Sequence, residues 1–321
     1  MEKQNIAIIT GGNVAEREIA LKSAQTIQKH LDKAKYHTWV IELNGTQFVE
    51  QTTREIVDKN DFSLVIDGEK IVFDLAFLMI HGHPAEDGCL QGYFDIIGLR
   101  YTGCSPFVSA LTFNKQACKL FLKNYEINMA PSQLLRKNEP IDWEVLHQME
   151  LPVFVKPNKN GSSYGVTKVT ESNQLKAAVN LSFEFDDEVV VEGFMDGQEF
   201  SNGVVRDGDQ IVVMPITEIV SENDFFDYEA KYTGKSQEIT PARLSPEKTA
   251  ECQAISKKLY EVLKCNGMAR FDYILVDGRF MFLEANTIPG MSEASIFPQQ
   301  ALAHGWTIGE LLDKIVAEAM K

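Results

Sequence analysis

The stretch from Met268 to Asn286, MARFDYILVDGRFMFLEAN, limits what this chain can fold into more than any other. Two runs of strand-forming residues flank Asp277-Gly278, a turn signature, so the stretch reads as a β-hairpin. Side chains alternate faces along a strand. Arg270 and Asp272 therefore point the same way from the first strand, and Glu284 and Asn286 from the second, each pair about 6.6 Å apart along the backbone. Two carboxylates, an amide and a guanidinium on one face are costly to desolvate unless ions sit between them. Mg2+ with a polyphosphate satisfies both signs, whereas a hairpin with a solvated polar face is the bland alternative.

The chain has 321 residues, 44% of them hydrophobic and 24% charged, enough for two or three globular domains. Its formal net charge of −15 argues against a general nucleic-acid or anionic-membrane surface, so any phosphate site has to be basic locally. Apolar runs such as Leu75 to Ile80 fall far short of a membrane span. The opening MEKQNIAII passes into a strand pattern without a cleavable signal, and a cytoplasmic location is expected. Cys89, Cys104, Cys118, Cys252 and Cys265 include no C-x-x-C pair, which suggests neither a disulfide framework nor a zinc site. The acidic run Asp186-Asp187-Glu188 reads as a solvated loop.

Asn5 to Thr10 is a short apolar run that ends in Gly11-Gly12, and Ala15 to His30 follows with apolar residues at helical spacing. Strand, glycine turn and helix open an α/β unit. The helix N-terminus there suits an anion or a carboxylate, although GGNVAERE is not the dinucleotide-binding fingerprint. The strand pattern at Leu75 to Ile80 runs into His81-Gly82-His83-Pro84-Ala85-Glu86-Asp87-Gly88. Loops at that end of an open α/β sheet hold ligands, which makes His81 and the two carboxylates candidates for substrate contacts. A helix N-cap at Asp87 explains part of the same stretch but not His81.

Ser109 to Leu122 reads as a helix that carries Lys115 and Lys119. Leu151 to Pro157 is a strand that ends at Lys156, followed by the loop Asn158 to Gly165 with Gly161, Ser162 and Ser163. Such a loop can close over a phosphate, yet no Walker A motif occurs anywhere in the chain. Glu188 to Phe194 and Glu199 to Val205 are strand-like, with a turn at Met195 to Gly197, and Ile211 to Ile219 is a further strand. Glu222 to Lys235 lacks a clear period and is expected to be a lid. Leu244 to Cys265 and Thr307 to Met320 have helical patterns.

With these stretches laid out, the chain resembles the ATP-grasp superfamily and, within it, the D-alanine:D-alanine ligases. The resemblance is carried by GGNVAEREIAL, HGHPAEDGCLQG, YTGCSPFVSALTFNK, VFVKPNKNGSSYGV, VEGFMDGQEF, FFDYEAKY, and ARFDY with LEANTIPGMSEASIFP. These run in the family's order from residue 11 to residue 298. The fold implied is α/β, with α+β character in the nucleotide-binding part. The expected division is an N-terminal open α/β domain at 1–103, a central subdomain at 104–188 and a C-terminal subdomain at 189–321 with its lid at 222–235.

The resemblance also implies roles. Asp272, Glu284 and Asn286 would hold two Mg2+ or Mn2+ ions that bridge the phosphates of ATP. Lys115 and Lys156 would contact those phosphates, Ser163 would lie in the phosphate loop, and Lys231 would reach the γ-phosphate. Glu192 and Glu199 would bind the adenosine, and the Met195 backbone the base. Glu16 would pair with the ammonium of the first D-alanine. Arg270 and Gly290 would stabilise an oxyanion, and Ser295 with Ile296 would hold the second D-alanine. Ser162 and Tyr232 would complete the closed lid against Glu16. His81 is either a base for the second amine or a substrate hydrogen bond.

The activity implied is ATP-dependent formation of D-alanyl-D-alanine through a D-alanyl phosphate, for peptidoglycan synthesis, by a homodimer. Phosphoryl transfer calls for charge neutralisation and positioning, which agrees with this set of residue types. Pro84-Ala85 and Asn114 depart from the usual family pattern, where a glycine-containing pair and an aspartate stand. Tyr232 accompanies an amine acceptor in the family and favours a dipeptide product over D-alanyl-D-lactate. The alternatives are a D-lactate or D-serine ligase, a nucleotide-binding regulator without catalysis, and a hydrolase built on Ser162. The hydrolase lacks a strand-to-helix elbow for its nucleophile.

Overall fold

The computed structural model describes residues 3–12, 14–161, 164–221 and 236–321. The first unit is β1 (Gln4–Gly11), α1 (Val14–His30), β2 (Tyr36–Asn44), β3 (Gln47–Glu50), the hairpin β4 (Ser63–Ile66) with β5 (Glu69–Val72), β6 (Leu75–Leu78), α2 (Cys89–Ile97) and β7 (Arg100–Tyr101). Its main sheet has the order β3-β2-β1-β6-β7. β1 pairs in parallel with β2 on one side and β6 on the other, so the strand order switches between β1 and β6. Ligands of open α/β sheets bind beyond the carboxyl ends of the strands at such a switch, and Gly11-Gly12 and His81 lie there.

Next come α3 (Pro106–Phe113), α4 (Lys115–Leu122), β8 (Ser132–Arg136), α5 (Trp143–His147), β9 (Val153–Pro157), β10 (Thr167–Val169), α6 (Leu175–Ser182) and β11 (Glu188–Gly193). β10-β9-β11-β8 form an antiparallel sheet. The last unit is β12 (Gln198–Asp207), β13 (Gln210–Ser221), β14 (Ser236–Ile239), α7 (Pro246–Val262), β15 (Met268–Val276), β16 (Arg279–Asn286), α8 (Ile296–His304) and α9 (Ile308–Ala319), with sheet order β14-β13-β12-β15-β16.

Apolar burial ties these pieces together. Leu311, Leu312, Ile315 and Val316 of α9 share one core with Ile6, Ile8, Leu75 and Phe77 of the first sheet, so the C-terminal helix is packed on the N-terminal unit. Val108, Cys118 and Leu122 of α3 and α4 join Phe200, Phe271 and Tyr273 of the last sheet. The antiparallel sheet between them keeps a separate core around Val155, Val179 and Val191.

Two sequence expectations are corrected. The single helix over Ser109 to Leu122 is broken at Asn114, whose Oδ1 accepts hydrogen bonds from the Ala117 N–H and from Asn158 Nδ2, each at 2.9 Å. A side chain that offers the backbone such a partner favours a cap over a helix interior. The departure from aspartate at this position therefore keeps the capping oxygen. The acidic run is not a free solvated loop either. Asp186 Oδ2 accepts from the Lys159 N–H at 2.6 Å, and Glu188, inside β11, accepts from Asn158 Nδ2 at 2.9 Å. Only Asp187 of the three stands far out in solvent.

Candidate active site

A cavity of about 770 Å³ lies where the three sheets meet. On its N-terminal side, Gly11 and Gly12 take φ of +109° and +91°, which glycine adopts without strain. A β-carbon on Gly12 would lie 2.6 Å from Ile80 Cγ2, so the turn is also too tight for a side chain. Glu16 sits in the first turn of α1 and lines the cavity, close enough to Gly161 that a β-carbon there would come within 2.9 Å of Glu16 Oε1.

His81 is buried beside Gly12 and Glu16, and its Nε2 has no hydrogen-bond partner among the described residues. Burial pulls its pKa below the usual histidine value, against the opposing charge of Glu16. Glu86 lines the same wall and accepts from the Gly82 N–H at 2.9 Å through Oε2. Burial, and after it the charge of Glu16, push its carboxyl up to about 8. The expected helix cap at Asp87 is shifted by one residue. Gly88 is the N-cap of α2, in the left-handed region, while Asp87 Oδ1 accepts from the Cys89 N–H at 3.1 Å.

The β15–β16 hairpin forms the floor. Its register sets Arg270 opposite Asn286 and Asp272 opposite Glu284, with a bulge after Asp272, so the four side chains share one face. Arg270 grips Asp272 with Nε to Oδ1 at 3.0 Å and Nη2 to Oδ2 at 2.8 Å, and Ser201 Oγ adds a 2.6 Å bond to Oδ1. Burial works against the guanidinium charge, but Asp272, Glu284 and Glu238 outweigh it and raise the Arg270 pKa above its already high value. Asn286 Oδ1 accepts from the Ile288 N–H at 2.9 Å, which fixes the amide.

On the other side of the cavity, Glu192 at the end of β11 is buried between two lysines. Lys156 Nζ donates to its Oε2 at 2.5 Å and Lys119 Nζ to its Oε1. Burial pushes the Glu192 carboxyl up, but the two ammonium groups dominate and hold it below the usual range. Lys115 reaches the Asn160 carbonyl at 2.6 Å from the next turn of α4, and burial lowers its pKa. Met195 and Glu199 line the wall beside them, in the connector after β11 and the start of β12.

A further wall is built by the start of α8. Gly290, Ser295 and Ile296 line the cavity there, with Ser295 as the N-cap of the helix. The side-chain oxygens of Ser295 and Ser292 are 2.7 Å apart. A helix N-terminus presents N–H groups to an anion. Gln300 anchors this helix to the sheet. Its Oε1 accepts from the Gly203 N–H at 2.9 Å, and its Nε2 donates to the Ser201 carbonyl at 2.8 Å.

The fold thus gathers Glu16, His81, Lys115, Lys156, Glu192, Met195, Glu199, Arg270, Asp272, Glu284, Asn286, Gly290, Ser295 and Ile296 around one cavity. Ser162, Ser163, Lys231 and Tyr232, and the lid at 222–235, lie outside the described residues. Two buried side chains at the site had no role assigned from sequence. Lys119 follows Lys115 by one helical turn, a spacing that already put both on one face. Gln300 had no such signal, because its partners come from strands far away in the chain.

The fold agrees with what comparison with other proteins shows. Residues 5–104 match the family model for the D-Ala–D-Ala ligase N-terminus, and residues 121–317 that for its C-terminus. The chain belongs to the D-alanine–D-alanine ligase family. It is 45% identical to the D-alanine–D-alanine ligase of Phocaeicola vulgatus over 98% of both chains, and 46% identical to that of Flavobacterium johnsoniae with the same coverage. Solved ligase structures superimpose closely. D-alanyl-alanine synthetase A from Vibrio cholerae gives a TM-score of 0.89 at 28% identity, covering 100% of this chain and 99% of that one. A D-Ala:D-Ser ligase from Enterococcus faecalis gives 0.88 at 29%, covering 99% and 100%. The D-alanine–D-alanine ligase from Bacillus anthracis complexed with ATP gives 0.81 at 28% identity, covering 99% and 97%. This ligase therefore shares its architecture with these solved structures and aligns with these relatives over nearly the whole of both chains.

Proposed function

We propose that the protein joins two molecules of D-alanine into D-alanyl-D-alanine for cell-wall synthesis, with ATP converted to ADP and phosphate. The observation that carries this most directly is the one cavity whose lining brings together the Arg270 guanidinium, the hairpin carboxylates, Lys115, Lys156 and a helix N-terminus. A carboxylate is a poor electrophile, so the γ-phosphoryl group passes first to the carboxylate of one D-alanine. That substrate is held with its ammonium against Glu16. Lys115, Lys156, Lys231 and Ser163 bind the phosphates. Glu192, Glu199 and the Met195 backbone hold the adenosine.

The second D-alanine places its carboxylate on Ser295 and the Ile296 N–H at the start of α8. Its amine attacks the acyl phosphate, the oxyanion of the tetrahedral intermediate is met by Arg270 and the Gly290 N–H, and phosphate leaves. His81, whose pKa is lowered by burial, either takes the amine proton or hydrogen-bonds the substrate. Ser162 and Tyr232 close over the reaction and exclude water, which would hydrolyse the acyl phosphate. Asp272, Glu284 and Asn286 offer only oxygen donors from one sheet face, a set suited to Mg2+ or Mn2+. Two such ions would neutralise charge on the transferring phosphoryl group.

The units 1–103, 104–188 and 189–321 belong to the same proposal, with α3 and α4 packed on the third. So do a cytoplasmic location, a homodimer, and the absence of nucleic-acid or membrane partners. Among the described residues no helix is long and apolar enough to cross a membrane.

Acceptor choice is tested by mass spectrometry of products formed from D-alanine mixed with equimolar D-serine or D-lactate between pH 6 and 9. D-Alanyl-D-alanine is expected to dominate throughout. A dominant mixed product would move the protein to a D-serine or D-lactate ligase.

A further inference from the structure

We propose that His83, Asp87 and Cys89 form a binding site for a divalent cation of the Zn2+ class, on the outer side of the turn that presents Glu86. Each of the three offers a ligand atom, and these atoms all lie within 4.8 Å of one another. The donors are an imidazole nitrogen, a carboxylate oxygen and a cysteine sulfur, which would give up its thiol proton on binding the ion. Such a mixed set selects borderline-soft ions such as Zn2+ or Co2+, in contrast to the oxygen-only set on the hairpin, which suits Mg2+.

The groups are arranged before any ion arrives. His83 Nδ1 lies 2.5 Å from Asp87 Oδ2, and the Cys89 N–H donates to the other oxygen of Asp87 at 3.1 Å. The turn beneath them is closed by the Glu86 N–H to the Gly82 carbonyl at 2.8 Å and the Leu90 N–H to the Pro84 carbonyl at 2.8 Å. Gln91 Nε2 braces it from inside by donating to the Ala85 carbonyl at 2.7 Å. A ligand set held on a hydrogen-bonded turn loses little freedom on binding.

Access is open, because His83 and Cys89 are exposed, and water can complete a tetrahedral shell. The other four cysteines are buried, which leaves Cys89 as the thiol able to meet an ion from solvent. The cluster is separate from the catalytic cavity. His81 and Glu86 from the same turn line that cavity, while His83, Asp87 and Cys89 do not.

The test uses the full-length protein in excess Mg2+, so that the hairpin carboxylates are saturated, and titrates it with Co2+. A thiolate ligand gives a near-ultraviolet charge-transfer band that oxygen ligands do not. The expected result is a band that saturates at one Co2+ per chain and is bleached by one equivalent of Zn2+. Cys89→Ser is expected to abolish it, and His83→Gln to weaken Co2+ binding about tenfold or more. Both positions are exposed, and circular dichroism melting checks that the variants fold. No band, a band that survives in Cys89→Ser, or an unchanged affinity in His83→Gln would overturn the site.

Discussion

The guanidinium of Arg270 closes on both carboxylate oxygens of Asp272, two residues along the same strand, at 3.0 and 2.8 Å. The proposed oxyanion group and the proposed metal ligand are thus one rigid pair, and neither can be altered without releasing the other. Lysine cannot form the two parallel bonds of arginine. Arg270→Lys is expected to lower kcat by about 10²- to 10³-fold, the usual loss when one preorganised oxyanion donor is removed. Steady-state ADP release reads this directly, with KM for ATP as the control for binding.

Glu192 is shared by Lys119 and Lys156 in a buried cluster. Lys119→Met takes away one of the two cations that stabilise the carboxylate. Breaking a buried pair costs about 3 kcal/mol or more, so urea unfolding should shift to lower midpoint by that order. Because Glu192 also lines the cavity, on the side proposed for the nucleotide, KM for ATP should rise more than kcat falls.

Glu86 gives the protein a pH signature. Its pKa rises on folding from an ordinary 4.5 to about 8, by burial first and the Glu16 charge second. Between those values the folded state holds a proton that the unfolded state has released, so stability falls as pH rises. The contribution is fully present below about 4.5 and gone above about 8. Glu86→Gln cannot titrate. Its thermal midpoint should lose less than that of the parent when pH is raised from 5 to 8.

Gln300 holds α8, and with it Ser295 and Ile296, against the sheet. Gln300→Leu keeps the volume but leaves the Gly203 N–H without its 2.9 Å acceptor. A buried polar group left unpaired costs about 1–3 kcal/mol, measurable by chemical unfolding. Loss of the anchor should also raise KM for the acceptor D-alanine.

Local patterns announced many of the strands and the polar face of the hairpin. The hairpin was legible because alternation and the Asp277-Gly278 turn are local signals, and its register then put Arg270, Asp272, Glu284 and Asn286 on one face without further information. Gly11-Gly12 and the stretch at His81 were legible because strand ends followed by glycine mark an open α/β sheet. Tertiary contacts decided the rest. Asn114 breaks a helix that periodicity alone continues, since its cap partner Asn158 lies on another element. The acidic run turned out to anchor a loop, because Lys159 and Asn158 approach it only in the folded chain. The packing of α9 on the first sheet and the clasp of Glu192 by two lysines are likewise contacts between distant segments.

The most direct test is D-alanine-dependent ADP release, measured with and without Mg2+, in the parent and in Glu284→Gln. The expected result is ADP formed in step with D-alanyl-D-alanine only when D-alanine and Mg2+ are both present, and a large loss of turnover in the variant. ADP release that ignores D-alanine, or full turnover in Glu284→Gln, would contradict the assignment of the hairpin face as the phosphoryl-transfer centre of a D-alanine ligase.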